Sequence, residues 1–338
     1  MKLHVLGIDI GKTVFHLAGM DEVGMVLVKK RCSRSQLLHY TANLSIHIIG
    51  MEACSGAHFL ARELNKQGHD VRLMPAQYVK PFVKTNKNDF NDAVAIAEAV
   101  QRPTMRFVPV KTNDQLDLQA LHRVRTRWVR RRTSLINQIR GLMLERGITV
   151  RKGSEYLRKH LPDILENADA NLTPRMRLLI ATLKEELEQL ESQILTADEE
   201  IERWSQTNEA CRRLKTIPGI GPITATALVA AIGNGNDFRR GRDLAAWLGL
   251  VPRQYSTGGK QKLLGISKRG DPYLRQLFVH GARGAYHWLK RDQLALGRWV
   301  EQLENRSQRS TSIVALANKL ARIAWAVLTI GQPYCAAT

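Results

Sequence analysis

The sequence predicts an α/β domain followed by helices: a mixed sheet flanked by helices, then a helical module, then a mainly helical C-terminal domain. Three observations lead there. Short apolar runs ending in turn residues fill the first hundred residues. From about Gln115 the apolar spacing changes to alternating three- and four-residue steps. After about Glu209, glycine and proline punctuate the chain again. A length of 338 residues suits two domains with a connecting module. With 44% hydrophobic and 24% charged residues there is material for real cores, which excludes a disordered chain.

The elements follow in order. Leu3–Ile10 is a strand whose end carries Asp9 and leads to Gly11, and 14–18 and 25–28 are two more strands joined by the turn DEVG. Residues 45–52 (SIHIIGME) form a fourth strand with Glu52 at its end. Phe59, Leu60 and Leu64 place a helix over 56–67, and 70–74 is a fifth strand before Pro75 and Pro81. A helix covers 93–100, with Asp89 or Asn91 as its cap. Ile180, Leu183, Leu187, Leu190, Ile194, Ala197, Ile201 and Trp204 trace a heptad seam with glutamates outside it. That seam fits a helical hairpin or coiled coil, and equally an amphipathic helix packed on its own domain. Pro162 and Thr173-Pro174 mark breaks before it. The expected division is 1–115, 116–207 and 208–338. The last part holds PGIGPITA, a Thr/Ala/Leu-rich helix, a Gly/Lys-rich loop over 252–270, and helices around 273–290 and 313–328.

Charge narrows the function classes. Lys and Arg number 51 against 31 Asp and Glu, a formal +20. Residues 1–120 carry a net +4, 121–160 +10, 161–204 −7 and 205–338 +13. Clustered cations of this kind point to a polyanionic partner. No uninterrupted apolar stretch approaches the roughly 18–20 residues of a membrane span, and the start MKLHVLGIDIGKT is not a signal peptide. Cys32, Cys54, Cys211 and Cys335 form no CxxC pair, which argues against a disulfide framework and a cysteine zinc site. The ten histidines show no HExxH or paired ligand spacing and read as structural or exposed.

Four carboxylates form the first chemical constellation. Asp9 and Glu52 end predicted strands, while Asp89 and Asp92, three apart at a helix start, share one face. Singly, each reads as a surface acid, a cap or a rim charge. Together they would repel unless a divalent cation neutralised them, and oxygen-only ligation favours Mg²⁺ or Mn²⁺ over zinc. Paired ions of this kind serve phosphoryl transfer.

Three further features carry cations or glycines. In PGIGPITA, Gly219 and Gly221 resemble the turn of a helix-hairpin-helix element, whose helix start suits a phosphate; a tight turn between packed helices is the alternative. In the loop RQYSTGGKQK and the ISKRGD after it, Ser256 is a candidate nucleophile beside Arg253, Lys260, Lys262, Lys268 and Arg269; a basic loop touching only DNA backbone is the alternative. Arg123, Arg125, Arg127, Arg130, Arg131 and Arg132 cannot share one helix face. Their density without acidic neighbours favours nucleic-acid contact over a merely solvated face, and Trp128 among them either stacks on a base or packs inward.

GIDIGKT, GMEACSG, KNDFNDA, TIPGIGPITA and LGLVPRQYSTGGKQKLLGISKRGDPYLR, in that order and across almost the whole chain, resemble the IS110 insertion-sequence transposases of the IS1111 subgroup, relatives of the Piv-type DNA invertases. The resemblance implies a RuvC-like (RNase H-fold) domain whose DEDD tetrad is Asp9, Glu52, Asp89 and Asp92, a coiled-coil linker, and a C-terminal domain with a serine nucleophile forming a phosphoserine intermediate. It implies Mg²⁺, a guide (bridge or seek) RNA, double-stranded donor and target DNA, and a homodimer or homotetramer that joins tetrad and serine from different subunits. It also implies a bacterial cytoplasmic protein with no membrane partner, nucleoid-associated when acting. Many relatives place serine directly before glycine, where this chain has Thr257; Ser256 is preferred because its primary hydroxyl is less hindered. A Holliday-junction-type nuclease using the tetrad alone is the second reading.

Overall fold

The computed structural model describes residues 3–84, 88–289 and 294–336. Two compact units, Met1–Asn113 and Asp114–Thr338, divide the chain. Lys87 of the KNDFNDA motif, and Lys290 at the end of the helix expected over 273–290, lie outside the described residues.

The first unit is a five-stranded mixed sheet of order β3-β2-β1-β4-β5. Its strands are β1 (Leu3–Ile10), β2 (Phe15–Met20), β3 (Val26–Cys32), β4 (Ile46–Glu52) and β5 (Val71–Met74). β1, β2 and β3 form an antiparallel meander, while β4 and β5 run parallel to β1. Edge strand β3 carries Lys29, Lys30 and Arg31, charges that discourage pairing with another chain. α1 (Arg34–Ala42) follows it, then α2 (Ala57–Lys66), α3 (Ala76–Val79) and α4 (Asp89–Val100). One core, with Leu6, Ile8, Leu17, Leu60 and Leu64, lies between the sheet and α1–α2. A second, with Val5, Ile48, Ile96 and Val100, lies under α4 on the other face. The cap of α4 is Asn88, whose side chain accepts from Phe90 N, rather than Asp89 or Asn91 as expected. Both aspartates are thereby freed to sit inside the first turn.

The second unit begins with the long helix α5 (Asn113–Leu144), then α6 (Ser154–Glu166) and α7 (Pro174–Thr207). Ile180, Leu187 and Leu190 of the α7 seam bury against Leu135, Ile136, Ile139 and Met143 of α5 and Leu157 and Leu161 of α6. The seam is therefore satisfied within this chain. Pro162 does not end a helix as expected; it sits inside α6, half-buried beside Leu161.

The remainder packs α8 (Glu209–Leu214), α9 (Pro222–Ile232), α10 (Gly241–Trp247), α11 (Pro272–Trp288), α12 (Ala295–Glu304) and α13 (Arg309–Ile330) around one core. The expected loop over 252–270 is instead a hairpin, β6 (Pro252–Thr257) and β7 (Lys260–Ile266). Among the described residues α13 alone is long and apolar enough to cross a membrane. Lys319 and Arg322 interrupt it, and Leu316, Ala317, Leu320, Ala321 and Ala324 are buried in the domain core.

Candidate active site and nucleic-acid surfaces

The carboxylates are brought together by missing side chains. Gly7 of β1 pairs with Gly50 of β4 in parallel register, and each stands two residues before an acid, Asp9 and Glu52. A Cβ on Gly7 would lie 2.1 Å from Ala93 O and 2.6 Å from Ala97 N; one on Gly50 would lie 2.8 Å from Val100 Cβ. Helix α4 can thus lie directly on the two strands, which sets its first turn over their C-terminal ends. Oxygens of Asp9, Asp89 and Asp92 lie within 4.8 Å of one another. Glu52 is outside that trio of close oxygens, yet it belongs to the same field: burial, then the charges of Asp9 and Asp92, push its pKa up from the usual carboxylate range. Glu52 thus shares the field of Asp9 and Asp92. Like charges so placed are the setting in which a divalent cation binds, and an all-oxygen donor set fits a hard ion.

Sequence reasoning passed over His16. It pairs with Asp9 across β1 and β2, and its Nδ1 lies 3.5 Å from Asp89 Oδ2. Its ring meets Phe90 edge-on at 4.9 Å. The available signal was the antiparallel register, which sets His16 opposite Asp9. Gly7 and Gly50 were legible too, as the repeated spacing Gly-x-Asp and Gly-x-Glu on neighbouring strands.

The hairpin carrying Ser256 turns through Gly258 and Gly259, both at positive φ (55° and 75°), where a two-residue turn needs glycine. β6 is exposed at every residue. Ser256 pairs with Gln261 and Gln254 with Leu263, so these four share one face; Thr257 pairs with Lys260 and Tyr255 with Lys262 on the other. Gln254 Nε2 donates to Ser256 Oγ at 2.8 Å. The two lysines expected to serve Ser256 thus stand on Thr257's face. Lys268 adopts a left-handed φ of 54°, and Arg269 O accepts from Arg275 Nη1 at 2.9 Å, tying the ISKRGD segment to α11.

Gly219 is needed for packing: at φ 85°, a Cβ there would lie 2.4 Å from Gly281 O of α11. Around Gly221, at the start of α9, space is open. Thr226, in the helix this turn leads into, belongs to a largely buried polar trio. His122 of α5 meets Tyr273 Oη at 3.0 Å and Thr226 Oγ1 at 3.0 Å. Burial, with Arg125 nearby, lowers the His122 pKa to about 4, so the ring is neutral at pH 7.

The six arginines separate into classes. Arg125 forms a bidentate ion pair with Asp198, and Arg131 pairs with Glu186, both acids on α7. The +10 and −7 segments are thus partly matched across an antiparallel helix pair, a partnership hidden when acids are sought only nearby in sequence. Arg123, Arg127 and Arg130, at i, i+4 and i+7, form an exposed stripe with no ion pair among the described residues. Arg132 is half-buried, and Trp128 packs inward on the α5–α7 core.

Likeness to known proteins extends over almost the whole chain. A transposase model of the IS110 DEDD type matches residues 6–146, and the model of the transposase IS116/IS110/IS902 family matches residues 211–295. The chain is 44% identical over 332 residues to the transposase for insertion sequence element IS1111A of Coxiella burnetii, covering 98% of this chain and 91% of that one. It is 44% identical over 330 residues to the transposase for IS1328 of Yersinia enterocolitica, covering 98% of each. A pilin gene-inverting protein of Moraxella bovis is 25% identical over 310 residues, 88% of this chain and 84% of its own.

Proposed function

The chain belongs to the IS110/IS116/IS902 family of transposases, enzymes that cleave and rejoin DNA with a DEDD domain and a divalent metal, and from that footing we propose an RNA-guided recombinase using the Asp9–Glu52–Asp89–Asp92 tetrad together with Ser256. The observation that carries this reading is the convergence of the Asp9, Asp89 and Asp92 oxygens, with Glu52 in their field. The strand order β3-β2-β1-β4-β5, with an antiparallel meander and two parallel strands, supports a RuvC-like fold for the first unit. Within the second unit, 116–207 serves as the coiled-coil linker and 208–338 as the serine-bearing transposase domain.

Ser256 Oγ attacks the scissile phosphorus; a serine–phosphate bond forms as the bond to one deoxyribose oxygen breaks, and that oxygen leaves as a hydroxyl with the proton serine gave up. A hydroxyl from the partner DNA end then attacks the same phosphorus, and serine leaves with the proton returned. When bound, Mg²⁺, or Mn²⁺ in its place, supplies charge neutralisation and stabilises the departing oxygen. Gln254 donates to Oγ and so leaves the serine proton free to depart. Tyr255, Lys260 and Lys262, on the opposite face, suit a DNA strand better than the reacting phosphate.

A guide RNA paired with donor and target DNA, recombined by a homodimer or homotetramer in the cytoplasm, completes the proposal. Sequencing the RNA that co-purifies with the active chain tests the guidance. One structured species complementary to both DNA sites is expected; its absence from protein that still recombines DNA would remove the RNA from the account. Hydrolytic nicks in junction DNA, without rejoining, would favour the nuclease that uses the tetrad alone.

A further inference from the structure

A further basic cluster is built from residues that none of the surfaces described so far includes. An open cavity of about 540 Å³ lies beside the start of α10 and α13, and Arg240, Arg242, Lys319 and Arg322 line it with no carboxylate among its lining residues. The turn is fastened in place. Trp325 Nε1 donates to both Gly235 O and Phe238 O at 3.1 Å, which pins the segment leading into Arg239-Arg240 onto α13. Gly241 allows the close approach, since a Cβ there would lie 2.9 Å from Arg322 O. Arg240 meets Asp243 at 3.8 Å, and the Lys319 ammonium sits 5.3 Å from the Trp299 ring centre. Arg242 and Arg322 are exposed and have no ion pair among the described residues.

Arg240 has Asp243 beside it, whereas Arg242, Lys319 and Arg322 have no carboxylate partner among the described residues, and three such cations held on two rigid elements create a local positive field that suits a polyanion. We propose that this cavity is a phosphodiester-backbone cradle, a nucleic-acid site additional to the serine hairpin and the Arg123–Arg127–Arg130 stripe. The inference rests on the nucleic-acid-acting reading of the family. It adds a place where the polymer is gripped without being cut, and its open mouth lets a continuous strand pass. Guide RNA and duplex DNA share the backbone chemistry the cradle would read.

The test uses the full chain and the double variant R242A/R322A, with R242K/R322K retaining charge. Binding of a labelled DNA duplex and of a labelled single-stranded RNA of equal length is measured against salt. Arginine loss is expected to weaken at least one polymer about tenfold or more at moderate salt and to lower its log–log salt slope by about two. The lysine pair restores most of both, and thermal melting stays unchanged. The polymer that loses affinity identifies the occupant. Unchanged slopes for both polymers while the wild type binds them would overturn the cradle alone, as would polyglutamate competing as well as nucleic acid. Failure of the wild type to bind either polymer would overturn the underlying reading instead.

Discussion

In the N-terminal unit two carboxylates end buried strands and two sit in the first turn of the helix laid closely on them, whereas in the C-terminal unit the candidate nucleophile stands on a hairpin exposed along β6. The contrast follows from the chemistry. Like charges must be forced together, so Gly7 and Gly50 give up their side chains and α4 is clamped onto the sheet. A hydroxyl that must reach a phosphorus inside a bulky polymer needs access instead, and the hairpin presents it next to a turn that relies on Gly258 and Gly259 at positive φ. Rigidity and exposure are thus divided between two units of one chain.

That comparison can be broken at several points. Asp9→Asn removes one charge from the cluster, and a loss of about 10²–10³-fold in metal-dependent cleavage is expected with the melting temperature held or raised, because repulsion falls. Gly7→Ala forces a methyl into the Ala93 carbonyl; it should destabilise the first unit by about 1–3 kcal/mol and reduce cleavage as α4 shifts, read by melting and by a raised metal requirement. If Gly7→Ala left both unchanged, the clamping account of the tetrad would be wrong.

The pH dependence of the second unit has a defined sign. His122 binds its proton less readily folded (pKa about 4) than unfolded, so the unfolded state carries more protons between those values. Its contribution, at most about 3 kcal/mol, is present above about pH 6.5 and lost as pH falls toward 4. His122→Gln should flatten that acid limb in pH-dependent melting. The smallest effect separates the arginines: Arg127→Ala should lower the salt slope of nucleic-acid binding by about one. Arg125→Ala should instead cost stability through Asp198, with the slope kept.

Much of the first unit was legible because its strands are short apolar runs ended by turn residues, and the Asp89/Asp92 spacing declared a shared face. Helix α1 was not, although Ser33 and Gln36 form a capping box, because Leu37 is the only large apolar side chain it fully buries. The hairpin over 252–266 reads as a loop in sequence because most of its side chains are polar, its apolar ones (Tyr255, Leu263, Leu264 and Ile266) do not alternate along both strands, and none of its residues is fully buried; the Gly-Gly turn is the signal for it. Pro162 misled because a proline can be carried within a helix whose neighbours Leu157 and Leu161 are buried. The acid partners of Arg125 and Arg131 lie more than fifty residues away, beyond any local pattern. His16 became visible only through strand register.

The measurement that bears most directly on the division of labour is to trap and map a covalent protein–DNA adduct with wild-type chain, Ser256→Ala and Thr257→Ala, in the presence of Mg²⁺. The account expects an adduct in the wild type and in Thr257→Ala, mapped to the Ser256 peptide, and none in Ser256→Ala although nucleic acid still binds. An adduct that persists in Ser256→Ala and vanishes in Thr257→Ala would move the nucleophile to the lysine-bearing face of the hairpin. Cleavage by Ser256→Ala at the wild-type rate with no adduct from any chain would contradict the account outright.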